Sequence, residues 1–127
     1  MNHLDELKAL NLPAGQYAIF GSGPMAIRGM RESHDIDLIV KKGIYDALVA
    51  KHPESIRENP SRLVIGNIEV FKDWRTLTSQ MDEMIDTAET IEGFPFVKLE
   101  YVVQWKKEMG REKDLKDLEL IRTFQRV

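Results

Sequence analysis

Apolar and polar residues along the chain follow two spacings, and these divide it into alternating strands and helices. Leu4 and Leu7 lie one turn apart in a short helix over 2–12, which Pro13 closes. Tyr17-Ala-Ile-Phe20 reads as a strand. A short helix follows over 25–30, and Asp35-Ile-Asp-Leu-Ile-Val40 reads as a second strand. Ile44, Ala47 and Leu48 share one face of a helix over 44–51, stopped by His52-Pro53. Residues 54–61 are polar, contain Pro60 and read as a loop. Leu63-Val-Ile65 and Ile68-Glu-Val-Phe71 flank Gly66-Asn67, the pattern of a β-hairpin with a two-residue turn. Leu77, Met81, Met84, Ile85 and Ala88 fall at helical spacing over 76–88, with the methionines as core filler. Gly93-Phe-Pro-Phe96 reads as a turn. A helix over 97–109 ends at Gly110, and another spans 112–125 with Leu115, Leu118 and Ile121 three apart.

Strands mixed with helices in this order predict an α/β (α+β) domain with a small mixed sheet flanked by helices, two of them C-terminal. At 127 residues the chain is expected to form one domain over its whole length, 1–127, with room for a real core. Hydrophobic residues make up 43% and charged residues 31%, an ordinary globular balance. The net charge of −3 lends no support to a general nucleic-acid-binding surface. There is no cysteine, so disulfides, thiol catalysis and thiolate-held metals drop out. No apolar run has the length of a membrane span, and acids enter as early as Asp5 and Glu6, so a cytoplasmic protein with no membrane partner is expected.

The chemistry concentrates between Phe20 and Val40. Gly21, Ser22 and Gly23 form a flexible turn, with Pro24 where a helix begins. The first N–H groups of a helix lack internal partners and carry a partial positive charge, so a glycine turn at that point suits a phosphate. Ser22 is placed to cap the helix or bond a phosphate oxygen. Strand side chains alternate, so Asp35 and Asp37 point to one face and Ile36 and Leu38 to the other. Two carboxylates beside a glycine turn are hard oxygen ligands for Mg²⁺ bound together with substrate phosphates. The bland alternative is a capped helix followed by a strand with solvent-facing acids.

This stretch resembles the signature of the DNA-polymerase-β-like nucleotidyltransferase superfamily: Gly-Ser, a short helix, then Asp-x-Asp on a strand. Arg31, Ser33 and Asp35-Ile-Asp37 match the Arg-x-Ser/Thr-x-Asp-x-Asp form of small prokaryotic members. Gly110-Arg-Glu-Lys-Asp-Leu-Lys-Asp-Leu118 is similar to a Lys-Asp-x-x-Asp-Leu helix start in the branch that includes AbiEii-type toxins of toxin–antitoxin systems. The resemblance runs from about Tyr17 to about Phe124 and implies the minimal nucleotidyltransferase core without a helical acceptor-binding domain. It implies a third acid on a later strand, here Glu69. Asp35, Asp37 and Glu69 would then hold two Mg²⁺ (or Mn²⁺) ions about 3.5–4 Å apart. Gly21, Ser22, Gly23, Arg31, Ser33 and Lys98 would contact a nucleoside triphosphate. The implied reaction moves a nucleoside monophosphate, AMP first, to a hydroxyl of a protein, an RNA or a small molecule.

Each outlying residue has a simpler account beside the functional one. Glu69 suits an edge-strand acid facing solvent, and Lys98 a lysine lying along apolar surface. Asp114 suits a favourable acid in the first turn of a helix. Arg28 and Arg31 suit ordinary surface pairs, and Trp74 and Trp105 core or interface packing. Two functional classes therefore stand side by side. One is the transferase. The other is a nucleotide-binding or antitoxin-like module that acts on a partner protein, which the small size and missing acceptor domain favour. A metal-dependent phosphodiesterase is a weaker third. Both main readings leave room for a homo-oligomer or a partner chain.

Overall fold

The computed structural model describes residues 1–126. Its centre is a seven-stranded mixed sheet in the order β3-β4-β5-β2-β1-β7-β6. The strands are β1 (Tyr17–Phe20), β2 (Ile36–Val40), β3 (Ile56–Arg57), β4 (Arg62–Ile65), β5 (Ile68–Phe71), β6 (Glu89–Ile91) and β7 (Phe94–Phe96). The helices are α1 (Leu4–Ala9), α2 (Gly23–Ala26), α3 (Lys42–Lys51), α4 (Met81–Asp86), α5 (Leu99–Met109) and α6 (Glu112–Gln125). The expected α/β (α+β) class with two C-terminal helices is the one observed. Among the described residues no helix is long and apolar enough to cross a membrane.

Central strands covered on both sides need apolar residues at nearly every position, and β1 and β2 have them. Ala18, Ile19 and Phe20 are buried, as are Ile36, Leu38, Ile39 and Val40. Alternation splits these residues between two cores. Ala18, Phe20, Ile39 and Phe71 pack with Met84, Ile85, Val102 and Ile121 beneath α4, α5 and α6. Ile19, Ile36, Leu38 and Val70 pack with Leu7, Tyr45 and Leu48 beneath α1 and α3. Strand β1 runs antiparallel to β2, whereas β2 is parallel to β5 and β1 is parallel to β7. The end of β1, the start of β2, the start of β5 and the end of β7 therefore share one edge of the sheet.

Several segments differ from their sequence reading: the helix read over 25–30 is a single turn at Gly23–Ala26, and the strand read from Asp35 begins at Ile36. The polar stretch 54–61 holds a 3₁₀ turn at Pro53–Ser55 and the edge strand β3, which is exposed on both faces and so carries no apolar alternation. The turn at Gly93–Phe96 is instead the second half of a hairpin, Glu89↔Phe96 to Ile91↔Phe94, in which Pro95 disguises the strand. Residues 75–80 are 3₁₀ rather than α. There Thr78 Oγ1 accepts the Trp74 N–H at 2.9 Å and donates to the Arg75 carbonyl at 2.8 Å, so a side chain competes for the backbone groups of the turn. Val97 and Lys98 continue β7 in extended conformation, with the Val97 N–H donating to the Ile19 carbonyl at 2.9 Å, and α5 begins only at Leu99.

Leu38 is 0% exposed in the middle of β2, whereas Leu115 on α6 is 58% exposed. Leu38→Ala is expected to lower unfolding stability by about 2–5 kcal/mol, and Leu115→Ala by no more than about 0.5 kcal/mol. Urea denaturation of both variants checks the contrast.

Candidate active site

The site forms where β1, β2 and β5 meet their shared edge. In β2, Asp37 lies opposite Phe20 of β1 and, across the parallel pairing, level with Glu69 of β5. Asp37 shares the face of Ile39 and Glu69 that of Phe71, so both carboxyls stand on the face covered by α4–α6. Neighbouring strands are about 4.8 Å apart, which brings the two acids side by side. Asp35 precedes β2 on the same side and is exposed. Its charge reaches Asp37.

Burial, and then the charge and hydrogen bond of Glu69 with a smaller contribution from Asp35, push the Asp37 carboxyl from its ordinary 3.8 up to about 7. Close carboxylates with too little positive charge between them behave this way. Arg62 supplies part of that charge: its Nε donates to Glu69 Oε1 at 3.0 Å, while Nη1 donates to the Pro60 carbonyl at 2.8 Å. Arg62 was not singled out in the sequence, yet the hairpin held the signal. Val64 lies opposite Glu69, so Arg62, two residues earlier, is on the same face.

Gly21 and Gly23 have separate reasons to be glycine. Gly21 has φ +58, and a Cβ there would overlap Asp37 Oδ2, so the acid lies directly against the turn. At Gly23 a Cβ would overlap Ile19 Cγ2; the short helix packs too closely on β1 for any side chain. Helix α2 is a single turn, and Ser22 makes no side-chain cap. Instead Ser22 Oγ donates to Ser33 Oγ at 2.9 Å, and Ser33 Oγ donates to the Asp35 carbonyl at 3.1 Å. The two hydroxyls thereby hold the segment that presents Asp35.

Arg31 is tied to the C-terminal helices. Arg31 Nη1 pairs with Asp117 Oδ2 of α6 at 2.7 Å. Lys106 Nζ meets the same Asp117 oxygen at 2.8 Å and Asp114 at 3.7 Å, and Arg111 Nε meets Asp114 at 2.6 Å. Lys106, Asp114 and Asp117 are buried, so this is a paired internal charge network. Burial alone would raise Asp114, but hydrogen bonds and charge from Arg111, with Lys106, hold its carboxyl below the usual range. Asp114 also accepts the Arg111 backbone N–H at 3.1 Å in a capping box. Arg31 thus ties the segment before Asp35 to the C-terminal helices. Lys98 is the N-cap of α5, not part of it, and extending the Phe96↔Ile19 pairing sets it level with Gly21. It lines a shallow cleft with Arg28, Glu89 and Gln125.

The donors fit a divalent cation by type and incompletely by closure. Among the described residues no three carboxylates or imidazoles converge into a closed metal-binding group. Mg²⁺, however, is commonly held by one or two carboxylates plus substrate phosphates. Asp37 and Glu69 are such a pair, lacking full compensation, with Asp35 beside them. No protein-family model matches the chain, and no curated protein is similar to it at a significant level.

The raised Asp37 value has a consequence for stability in chelator. Between about pH 4 and pH 7 the folded state keeps a proton that the unfolded chain has released, so stability falls as pH rises through that window. Asp37→Asn is expected to melt at a higher temperature than wild type near pH 8, with the difference shrinking toward pH 4. Melting curves across pH check this; equal differences at both ends would remove the buried-carboxylate account.

Proposed function

We propose that the chain is a metal-dependent nucleotidyltransferase of the DNA-polymerase-β-like kind. It would move a nucleoside monophosphate, AMP first, from a nucleoside triphosphate to a hydroxyl group. The observation that carries this reading is the Asp37–Glu69 pair, level on adjacent parallel strands, with Asp35 at the strand start and Gly21-Ser22 at the end of β1. The Arg-x-Ser-x-Asp-x-Asp resemblance supports it, now with a physical part for each element. Arg31 anchors the segment to α6, Ser33 braces Asp35, and Asp37 stands level with Glu69.

Asp35, Asp37 and Glu69 are the residues that would hold Mg²⁺ or Mn²⁺. Such ions neutralise charge developing on the transferred phosphoryl group, the main source of rate in this chemistry. Ser22 and Ser33 present hydroxyls beside Asp35 that can turn from each other to phosphate oxygens. Lys98 supplies a positive charge at the same edge of the sheet. In the transfer, the acceptor oxygen bonds to the α-phosphorus, the bond to pyrophosphate breaks, and the hydroxyl proton leaves to a carboxylate of the pair. Arg62 must then shift from Glu69 or share it.

A second reading has its own observation. Leu120 and Phe124, one turn apart on α6, are 41% and 43% exposed, a small apolar face that suits a module acting on a partner protein. Incubation with α-labelled NTPs, Mg²⁺ or Mn²⁺ and cell lysate separates the two. The transferase reading expects a labelled product, lost by several orders of magnitude in Asp35→Asn/Asp37→Asn while the fold is retained. Absence of transfer from any NTP, with partner capture intact in the double variant, would leave the binding module.

A further inference from the structure

A cleft of about 240 Å³ opens beside the carboxylates, on the Glu69 flank and away from Ser22. Phe71, Trp74 and Trp105 form its aromatic wall. Phe71 and Trp74 meet edge-to-face with centroids 4.9 Å apart, and Trp74 and Trp105 do so at 5.1 Å. Ser61, Asp73 and Arg75 also line the cleft. An aromatic cleft with a few converging polar groups is the usual form of a small-molecule site.

Three features connect the cleft to the acids and to a ligand. Glu69 and Phe71 share one face of β5 two residues apart, about 7 Å along the strand, so the cleft begins one side chain beyond the proposed reaction centre. Arg62 spans the gap, bonding Glu69 with Nε and the carbonyl of the cleft residue Pro60 with Nη1. Moreover, the Trp105 indole N–H is a buried side-chain donor with no hydrogen-bond partner among the described residues. Structures rarely leave such a donor unused.

We propose that this cleft binds a nucleobase of the acceptor, placing a ribose hydroxyl at the carboxylates. Its position relative to the chemistry rests on the nucleotidyltransferase reading. The base would pack against the aromatic wall chiefly at the half-buried Trp105, since Phe71 and Trp74 are each only 9% exposed. Ser61, Asp73 and Arg75 together offer both donors and acceptors, matching the mixed edge of a base rather than the single hydroxyl of a tyrosine. The ribose would fill the interval between Phe71 and Glu69 once Arg62 turns away from Glu69. The donor triphosphate would approach from the opposite flank, where Ser22, Ser33 and Lys98 lie.

Both tryptophans of the chain line the cleft, so intrinsic fluorescence reports on it directly. The test titrates metal-free protein, in chelator, with adenosine, guanosine, cytidine and uridine, and with ribose as control. Saturable quenching by at least one nucleoside and none by ribose is expected. Asp73 and Arg75 are exposed, so Asp73→Asn and Arg75→Ala should fold normally, and each should weaken binding by about tenfold. A short oligoribonucleotide that quenches at lower concentration than its terminal nucleoside identifies an RNA end as the source; equal potency identifies a free nucleoside. No quenching by any nucleoside, or quenching indifferent to both cleft variants, overturns the proposal even if transfer activity is found. Nucleoside binding without transfer upholds the cleft and counts against the transferase reading alone.

Discussion

Two carboxyls held side by side at the edge of a sheet are the constraint around which the surrounding residues make sense. Asp37 and Glu69 are brought level by the parallel pairing of β2 with β5, and burial raises the energy of leaving Asp37 charged. Their neighbours answer that constraint. Gly21 has no side chain because Asp37 Oδ2 occupies the space where a Cβ would be. Arg62 leans across the β4–β5 hairpin to compensate Glu69. The compensation is partial, since Asp37 still holds its proton up to about pH 7. That unfavourable pair is the physical basis of the proposed cation site.

The rest of the domain holds that edge in position. The two-sided core fixes the register of β1, β2 and β5, because a one-residue slip would send Asp37 into the opposite core and Leu38 toward the site. The buried network of Lys106, Asp114 and Asp117 reaches through Arg31 to the segment that carries Ser33 and Asp35. The closing helices therefore act on the site mechanically as well as covering the core. Breaking one member of such a network leaves a buried charge uncompensated, so its parts are not independently replaceable.

Local patterns were readable wherever the nearest neighbours decide the structure. Alternation placed Asp37 and Glu69 on their faces, and Gly66-Asn67 between two apolar runs announced the β4–β5 hairpin. Features set by distant partners were not readable. Arg31 resembled a phosphate ligand until its partner, Asp117, appeared from the other end of the chain. Lys98 lost its helical phase because the N–H of its neighbour Val97 pairs with Ile19 and draws both residues into extended form. Pro95 disguised β7, and Thr78 turned an expected α-helix into 3₁₀. Gly23 was read for a phosphate, whereas its tight contact is with Ile19.

The account stands most directly on whether the Asp37–Glu69 pair attracts a divalent cation. Calorimetric titration of Mn²⁺ into the protein, with and without a non-hydrolysable NTP analogue, measures this for wild type, Asp37→Asn and Glu69→Gln. The account predicts binding by wild type that tightens with the analogue and falls by at least about tenfold in each variant, where one charged ligand is lost. Equal Mn²⁺ affinity in all three proteins, or no binding by wild type even with the analogue present, would contradict it.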